Sequence, residues 1–589
     1  MKFKTTFVTI IGLFCALAMS AQVIVDPALQ QLRVGTVGSS TQPLRVVVTF
    51  NHTPTLVDQA LINSVASRST MLSALPMALI ETNAAGVQKL AANAGIKSLY
   101  ADKQLKYFLH ESVPLIGAPQ AWASYGADGH GVGVAIIDSG IDGLHSDLPY
   151  PSHVVQNVKI LGVDSGDSPT GNSVVQVVEN LSTSDSSSGH GTHCAGIVAG
   201  LGNVSKTNSA NDVGGHGYFT GVAPGANLIG VGTGDAIFVF YALEGFDWVM
   251  SHRTQYNIKV ISNSWGNSAD ANQPFDPNDP VNVASKVAHD AGITVCFAAG
   301  NDGPGTDTLN PYSVAPWVIG VAAGNKDGAT LADFSSRGRY DDPQFHPTIT
   351  APGNAIVSTR APNTALPVLG LAEGDTDIQT EWIPYYTTMS GTSMATPHVA
   401  GVCALLYSVR GDMNPDLAKQ LIVNTATPMP LYKAYASGAG YINAYAAVAQ
   451  AKAIKALKSY KNPKTGKTIP VYVTEQTING SVLPAAGAYN DLSTNTHALT
   501  VATGAVFIDT QLQWDQFAND LDLFLDKDDG TGTYVQQGAS QSIQALTLTA
   551  REGVAIDFPG AGNWQARVQG WLTVPQSYTL IVQQYFPLQ

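Results

Sequence analysis

Positive charge is scarce in this chain, and charge of either sign is sparse. Only 13% of the 589 residues are charged, and 30 lysines and arginines face 44 aspartates and glutamates, a net charge of −14. Such a balance repels a phosphate backbone, so no nucleic-acid partner is expected. Cysteine is nearly absent. Of four, Cys15 lies in the N-terminal segment, and Cys194, Cys296 and Cys403 sit in apolar stretches. Three cysteines allow at most one disulfide and suit small buried hydrophobes. Long apolar runs are missing beyond the first residues, so no membrane span is expected. The start, "MKFKTTFVTIIGLFCALAMSAQ", has two lysines, an apolar run and then small residues. The run is short for a bilayer and reads as a signal peptide over residues 1–21, which implies secretion.

Glycine is abundant instead, at 57 residues, and it punctuates a pattern that changes along the chain. Residues 22–110 alternate strand-like and helix-like pieces, "LRVVVTF", "TLVDQALINSV", "MALIET" and "AAGVQKLAANAG", which read as a small split βαβ unit. Residues 111–454 hold short apolar runs that end in polar or glycine residues: "GVGVAIIDSG", "ANLIGVGTG", "NIKVISNSWG", "GITVCFAAGN" and "WVIGVAAGN". Helical pieces lie between them. That pattern predicts an α/β fold, a parallel sheet covered by helices on both faces, with functional residues at the carboxyl ends of the strands. Residues 455–480 begin with the basic "KALKSYKNPKTGKTIP" and read as a linker. Residues 481–589 read as a β-sandwich or jelly roll with its own core, independent of any site upstream. The acids of "DLDLFLDKDDG" do not fit an EF-hand loop and read as a solvated turn.

Four residues in the middle region have chemical potential. "VAIIDSGID" puts Asp138 at the end of an apolar strand. "SSGHGTHCAG" puts His190 at a glycine-flanked helix start, with His193 one turn on. "VCFAAGND" puts Asn301 after another strand. "YTTMSGTSMATPHVAG" puts Ser393 at a helix start behind Gly391. Alone, each is more often a turn or cap residue. The H-x-x-H spacing departs from the zinc-protease helix, which has four-residue histidine spacing and a glutamate. Together, an Asp, a His and a Ser in this order, with an amide that can face an oxyanion, form the constellation of nucleophilic acyl transfer.

The strings "AIIDSGID", "GHGTHCAG", "NSWG", "AAGN" and "GTSMATPHVAG" strongly resemble the subtilase family of serine proteases (peptidase S8), over about residues 113–450. The resemblance implies a subtilisin-like fold and a catalytic triad. Asp138 orients the imidazole, His190 carries the proton and Ser393 attacks the peptide carbonyl. Asn301 and the Ser393 N–H hold the oxyanion. Ser264, Trp265 and Gly266, with Ala298, Ala299 and Gly300, are implied to line the substrate cleft. His398, five residues after Ser393, is implied to point away, and Cys194 to lie beneath the triad. The first region then resembles an inhibitory ferredoxin-like propeptide that acts on its own chain, cut within residues 103–111, and the third a β-rich accessory domain. Protein or peptide substrates follow, with a large apolar residue before the scissile bond. No cofactor is needed for the chemistry. Structural calcium is common in the family, and Asp147 matches a ligand position, but the partner loop "DVGGHGYFTGVAPG" lacks the expected asparagine. A secreted endopeptidase is the reading adopted. An exopeptidase that removes dipeptides or tripeptides, and an inactive secreted binding protein, are the alternatives.

Overall fold

The computed structural model describes residues 23–26, 29, 44–72, 75–101, 112–162, 175–186, 188–207, 215–234, 237–267, 271, 273–362, 364–365, 375, 378–483, 493–516, 518–542, 549–572 and 574–588. The expected signal peptide and the expected maturation site at residues 103–111 lie outside them. The chain divides into two compact units at residues 107–108.

In the first unit, β1 (Ile24–Val25), β2 (Leu44–Phe50), β3 (Arg68–Met71), β4 (Met77–Thr82) and β5 (Ile96–Ala101) form one sheet in the order β1-β5-β2-β4-β3. Helices Leu56–Asn63 and Ala84–Ala91 connect β2 to β3 and β4 to β5. From β2 onward this is a β-α-β-β-α-β unit. Its core is small: Val46, Val48, Phe50, Ile62, Leu90 and Leu99 are among the buried side chains.

The second unit is built on an eight-stranded sheet. Its strands are β6 (Gly133–Asp138), β7 (Val154–Gly162), β8 (Val175–Val178), β9 (Asn227–Gly232), β10 (Ile258–Asn263), β11 (Thr294–Ala298), β12 (Ile319–Gly324) and β13 (Ile349–Pro352). They run in the order β13-β12-β11-β10-β6-β9-β7-β8, parallel throughout except where β8 pairs antiparallel with β7. Every residue of β6, β11 and β12 is buried, the signature of a sheet covered on both faces. Alternate residues go to opposite faces. Val134 and Ile136 pack in the core that holds helix Thr392–Val409, whereas Ala135 and Ile137 pack under helices Val239–His252 and Pro280–Asp290. The fold is the expected subtilisin-like α/β architecture. The strand order reverses between β6 and β10, and a crevice opens at the carboxyl ends of strands at such a point.

Strands β14 (Ile356–Thr359) and β15 (Tyr386–Met389) pair as an antiparallel ribbon, and two larger antiparallel sheets follow. One has the order β16-β17-β24-β19-β22, the other β18-β23-β20-β21. Here β16 is Ile454–Lys461, β17 Thr468–Val482, β18 Ser493–Val501, β19 Phe507–Trp514, β20 Asp520–Asp528, β21 Tyr534–Ser540, β22 Arg551–Asp557, β23 Gly562–Leu572 and β24 Gln576–Pro587. Leu512, Leu523, Trp564, Val568 and Leu580 fill the space between the sheets. The "DLDLFLDKDDG" acids end in a hairpin turn, where the Asp528 carboxylate accepts Gly530 N–H at 2.9 Å and Gly532 N–H at 3.0 Å.

Two expectations fail here. Residues 455–480 are no linker. Helix Ala444–Ala453 passes directly into β16, which pairs with β17 over Tyr460↔Ile469 and neighbouring residues. The Pro-Gly-Lys cluster is only the hairpin turn, with Gly466 at φ 71° and its N–H on the Asn462 carbonyl at 2.8 Å. Nor is the β-rich region independent. Ile454, Tyr472 and Phe586 belong to the same buried cluster as Leu417, Leu421 and Val448 of the α/β part. The Tyr472 and Phe586 rings stack at 4.9 Å, and Gln420 Nε2 donates to the Pro587 carbonyl at 2.8 Å.

Candidate active site

Asp138 ends β6 with 1% of its surface exposed. Its Oδ1 accepts the Ser139 N–H at 2.7 Å and lies 2.7 Å from His190 Nδ1. His190 opens helix His190–Ala199. The residue before it, Gly189, sits at φ 84°, a left-handed turn that glycine makes without strain. The Asp185 carboxylate then holds the helix start. It accepts Gly189 N–H at 2.9 Å, Thr192 N–H at 3.1 Å and the Thr192 hydroxyl at 2.6 Å. Asp185 was not singled out from sequence, although an aspartate just before a glycine-led helix start is a capping signal.

Ser393 lies in the first turn of helix Thr392–Val409. Its Oγ donates to the Ser264 carbonyl at 2.8 Å, and Ser264 Oγ donates back to the Ser393 carbonyl at 2.8 Å. The helix carries Pro397 four residues on. Proline has no N–H, so the Ser393 carbonyl loses its helical donor. Ser264 Oγ and, at 3.4 Å, Cys194 Sγ take that donor's place. The proline thus frees a carbonyl through which the start of the helix is pinned to the strand ends. Asn301 is fixed from the same turn. Its Oδ1 accepts the Thr392 N–H at 2.8 Å and the Thr392 hydroxyl at 2.9 Å. That leaves the Nδ2 donors for the cavity that Asn301 lines.

The cavity has a volume of about 240 Å³. Trp265, Gly266, Ala298 and Gly300 line it, together with Asn301 and Ser393. Of the residues expected along the cleft, Ala299 and Ser264 do not line this cavity. Ala299 is fully buried against Leu309, Val314 and Phe345, because successive residues leaving a strand point to opposite sides. Ser264 serves the Ser393 turn instead. The Trp265 ring turns inward, donating Nε1–H to the Ile137 carbonyl at 2.8 Å and meeting Phe297 edge-on at 5.3 Å. Asn310 also lines the cavity. From sequence, "LNPYS" shows a turn and nothing more.

The histidines divide by partner. Burial alone would push the His190 imidazolium down, but the Asp138 carboxylate more than offsets this and holds it well above the ordinary 6.5. Burial also pushes the Cys194 thiol up, so Cys194, 3.9 Å from His190 Nδ1, stays neutral and Asp138 supplies the charge. His193 is buried with Nε2 at 3.1 Å from both the Ile356 and Thr387 carbonyls, and burial lowers it to about 3. His398 is buried with Nδ1 on the Met394 carbonyl at 2.8 Å, lowered by burial to about 4. Among the described residues, the one group with metal-ligand spacing is Asp138, His190 and Cys194. Asp147 fits a cation poorly. It is fully buried, with Oδ1 accepting Val204 N–H at 3.1 Å and Oδ2 the Tyr386 hydroxyl at 2.5 Å.

Residues 129–467, more than half of the chain, match the Subtilase family of peptidases, S8. The chain belongs to that family and is a subtilisin-like serine peptidase. Serine protease AprX of Bacillus subtilis (strain 168) is 32% identical over 375 residues, covering 60% of this chain and 75% of AprX. Subtilisin E of the same strain is 30% identical over 453 residues, covering 74% of this chain and 98% of its own. The solved structure of sphericase is 25% identical and overlays with a TM-score of 0.40 over 55% of this chain and 96% of its own.

Proposed function

We propose that this chain is a secreted serine endopeptidase that cleaves peptide bonds through Asp138, His190 and Ser393. The observation that carries the reading is the 2.7 Å contact from His190 Nδ1 to the buried Asp138 carboxylate, with Cys194 Sγ reaching both that nitrogen, at 3.9 Å, and the Ser393 carbonyl, at 3.4 Å. Asp138 holds His190 in the tautomer whose Nε2 is a base. His190 takes the Ser393 proton as Oγ adds to the substrate carbonyl. The oxyanion that forms accepts hydrogen bonds from Asn301 Nδ2 and the Ser393 N–H. His190 then protonates the departing amine, leaving an acyl-enzyme on Ser393 that water hydrolyses by the same steps in reverse. No cofactor enters this chemistry.

The small residues Ala298, Gly266 and Gly300 leave the cavity open to a large apolar side chain before the scissile bond. The unit before residues 107–108 is the propeptide in this reading, cut by the enzyme itself. A fluorophosphonate probe tests the reading. It should label the processed protein at Ser393, and Ser393→Ala should abolish labelling and leave the chain unprocessed when it is expressed alone. The rate loss for peptide cleavage should be about 10⁶-fold, the scale seen when a subtilisin loses its nucleophile. Labelling elsewhere, or normal processing of the variant with no other protease present, overturns it.

A further inference from the structure

We infer that Asp375 is a positioning residue: it anchors the β14–β15 ribbon, which joins the helix of His190 to the turn of Ser393, and so sets how the base meets the nucleophile. The inference rests on the proposed peptidase function and deepens it. The ribbon reaches both catalytic elements. On one side it clasps helix His190–Ala199. Ser358 Oγ donates to the His193 carbonyl at 2.8 Å, and Thr359 Oγ1 donates to the Thr192 carbonyl at 2.7 Å. The buried His193 ring has Nε2 at 3.1 Å from the carbonyls of Ile356 in β14 and Thr387 in β15. Neither carbonyl can donate, so Nε2 carries the proton and gives to both strands. Gly196 marks the closeness of the fit. A Cβ there would collide with the Ser358 and Thr359 hydroxyls. On the other side β15 ends at Met389 and the chain runs on through Ser390 and Gly391 to Ser393. The Gly391 N–H holds that turn to the Gly353 carbonyl at 2.8 Å.

Asp375 comes from the chain between the two strands and is 1% exposed. Its Oδ2 accepts Arg360 Nη1 at 2.7 Å, its Oδ1 accepts the Thr388 N–H at 2.8 Å, and both oxygens lie 3.0 Å from the Thr387 hydroxyl, which donates to them. Arg360 directly follows β14, whereas Thr387 and Thr388 lie in β15. One buried carboxylate therefore ties both strands. A buried charge is costly unless every partner is in place, so the arrangement favours a single setting of the ribbon. Thr387 is the shared link. Its hydroxyl gives to Asp375, and its carbonyl accepts from His193, three residues after His190. Asp375 touches neither the triad nor the cavity and acts through Thr387.

The test uses the full chain after maturation, with kinetics on a blocked peptide well below the thermal midpoint. Active sites are counted by fluorophosphonate labelling carried to completion, so misfolded molecules do not enter the rates. Asp375→Asn should lower kcat by about tenfold to 100-fold with KM unchanged, the upper figure being the scale of a 1 Å misplacement of reacting groups. Thr387→Val keeps the Arg360–Asp375 pair and should lower kcat in the same way by less. Thr387→Ser, which keeps the hydroxyl, should restore kcat to near the wild-type value. The two Thr387 variants decide the matter should Asp375→Asn fail to fold. A purely structural tie would lower the thermal midpoint and leave kcat per labelled site alone, and that result overturns the inference. So does a loss confined to KM, or Thr387→Ser behaving like Thr387→Val. A wild-type protein that is neither labelled nor active overturns the peptidase reading instead.

Discussion

Two buried carboxylates in this molecule have been given opposite partners. Asp138, 1% exposed at the end of β6, faces the His190 imidazole. Asp526, 2% exposed on β20 in the C-terminal sheets, faces the Arg567 guanidinium, with Nε at 2.5 Å and Nη2 at 3.1 Å, and also accepts Gln565 Nε2 at 2.8 Å. Arg567 also lies over the Phe524 ring at 4.6 Å. A guanidinium never gives up its charge, and Asp526 pushes the Arg567 pKa higher still. That pair is electrically closed and can only hold β20 to β23. An imidazole titrates near neutrality, so the Asp138 pair is open to proton traffic. The same burial of the same group yields a structural tie in one place and a reactive dyad in the other.

Exchanging each carboxylate for its neutral isostere separates the two roles. Asp138→Asn should cut kcat/KM by about 10⁴-fold, the size of the effect in another triad protease, while the thermal midpoint moves little. Asp526→Asn should leave kcat/KM per labelled site unchanged and lower stability by about 3 kcal/mol, the low end for a broken buried pair because Arg567 is partly exposed. Urea unfolding and active-site titration on both variants decide the matter. A catalytic loss from Asp526→Asn would mean that the sandwich acts on the site. Next in size comes Asn301→Ala, expected to lower kcat by roughly 100-fold to 1000-fold with little change in KM. A loss confined to KM would assign Asn301 to ground-state binding.

Legibility from sequence followed the range of the interactions. The apolar strands ending in Asp138, Asn263 and Ala298 could be read because a doubly covered strand is continuous and its last residues emerge at the crevice. Asp138, His190, Asn301 and Ser393 stood at strand ends or helix starts flanked by glycine, where backbone demands leave a signature. What failed depended on partners far away in the chain. The direction of the Ala299 side chain and the place of Asn310 depend on how the segments after β10 and β11 face each other. Residues 455–480 looked like a linker because Pro463, Gly466 and the lysines drew attention from the strand pattern on either side. The shared core of Tyr472 and Phe586 with Leu417 and Leu421 has no local signature in any of the four segments. The use of Pro397 inside a helix likewise depends on distant partners, the Ser264 and Cys194 side chains that reach the Ser393 carbonyl.

The smallest expected effect sharpens the same comparison through pH. His190 must be neutral to accept the Ser393 proton, so kcat/KM should rise with pH as the imidazolium is lost. Burial works to lower that pKa, and the Asp138 carboxylate raises it by more, so the net direction is upward. The rise should therefore be centred above the ordinary imidazole value of about 6.5, with a single-proton slope. His193 at about 3 and His398 at about 4 are neutral throughout that range and cannot contribute a second step. In Asp138→Asn the charge is gone while the burial stays, so the midpoint of the residual activity should move down, below that of wild type. In Asp526→Asn it should not move, because Arg567 keeps its charge on both sides of the transition. Profiles of kcat/KM on a blocked, uncharged peptide measure all three. A wild-type midpoint at or below 6.5, or a common midpoint in wild type and Asp138→Asn, would show that His190 does not feel Asp138 as the 2.7 Å contact requires.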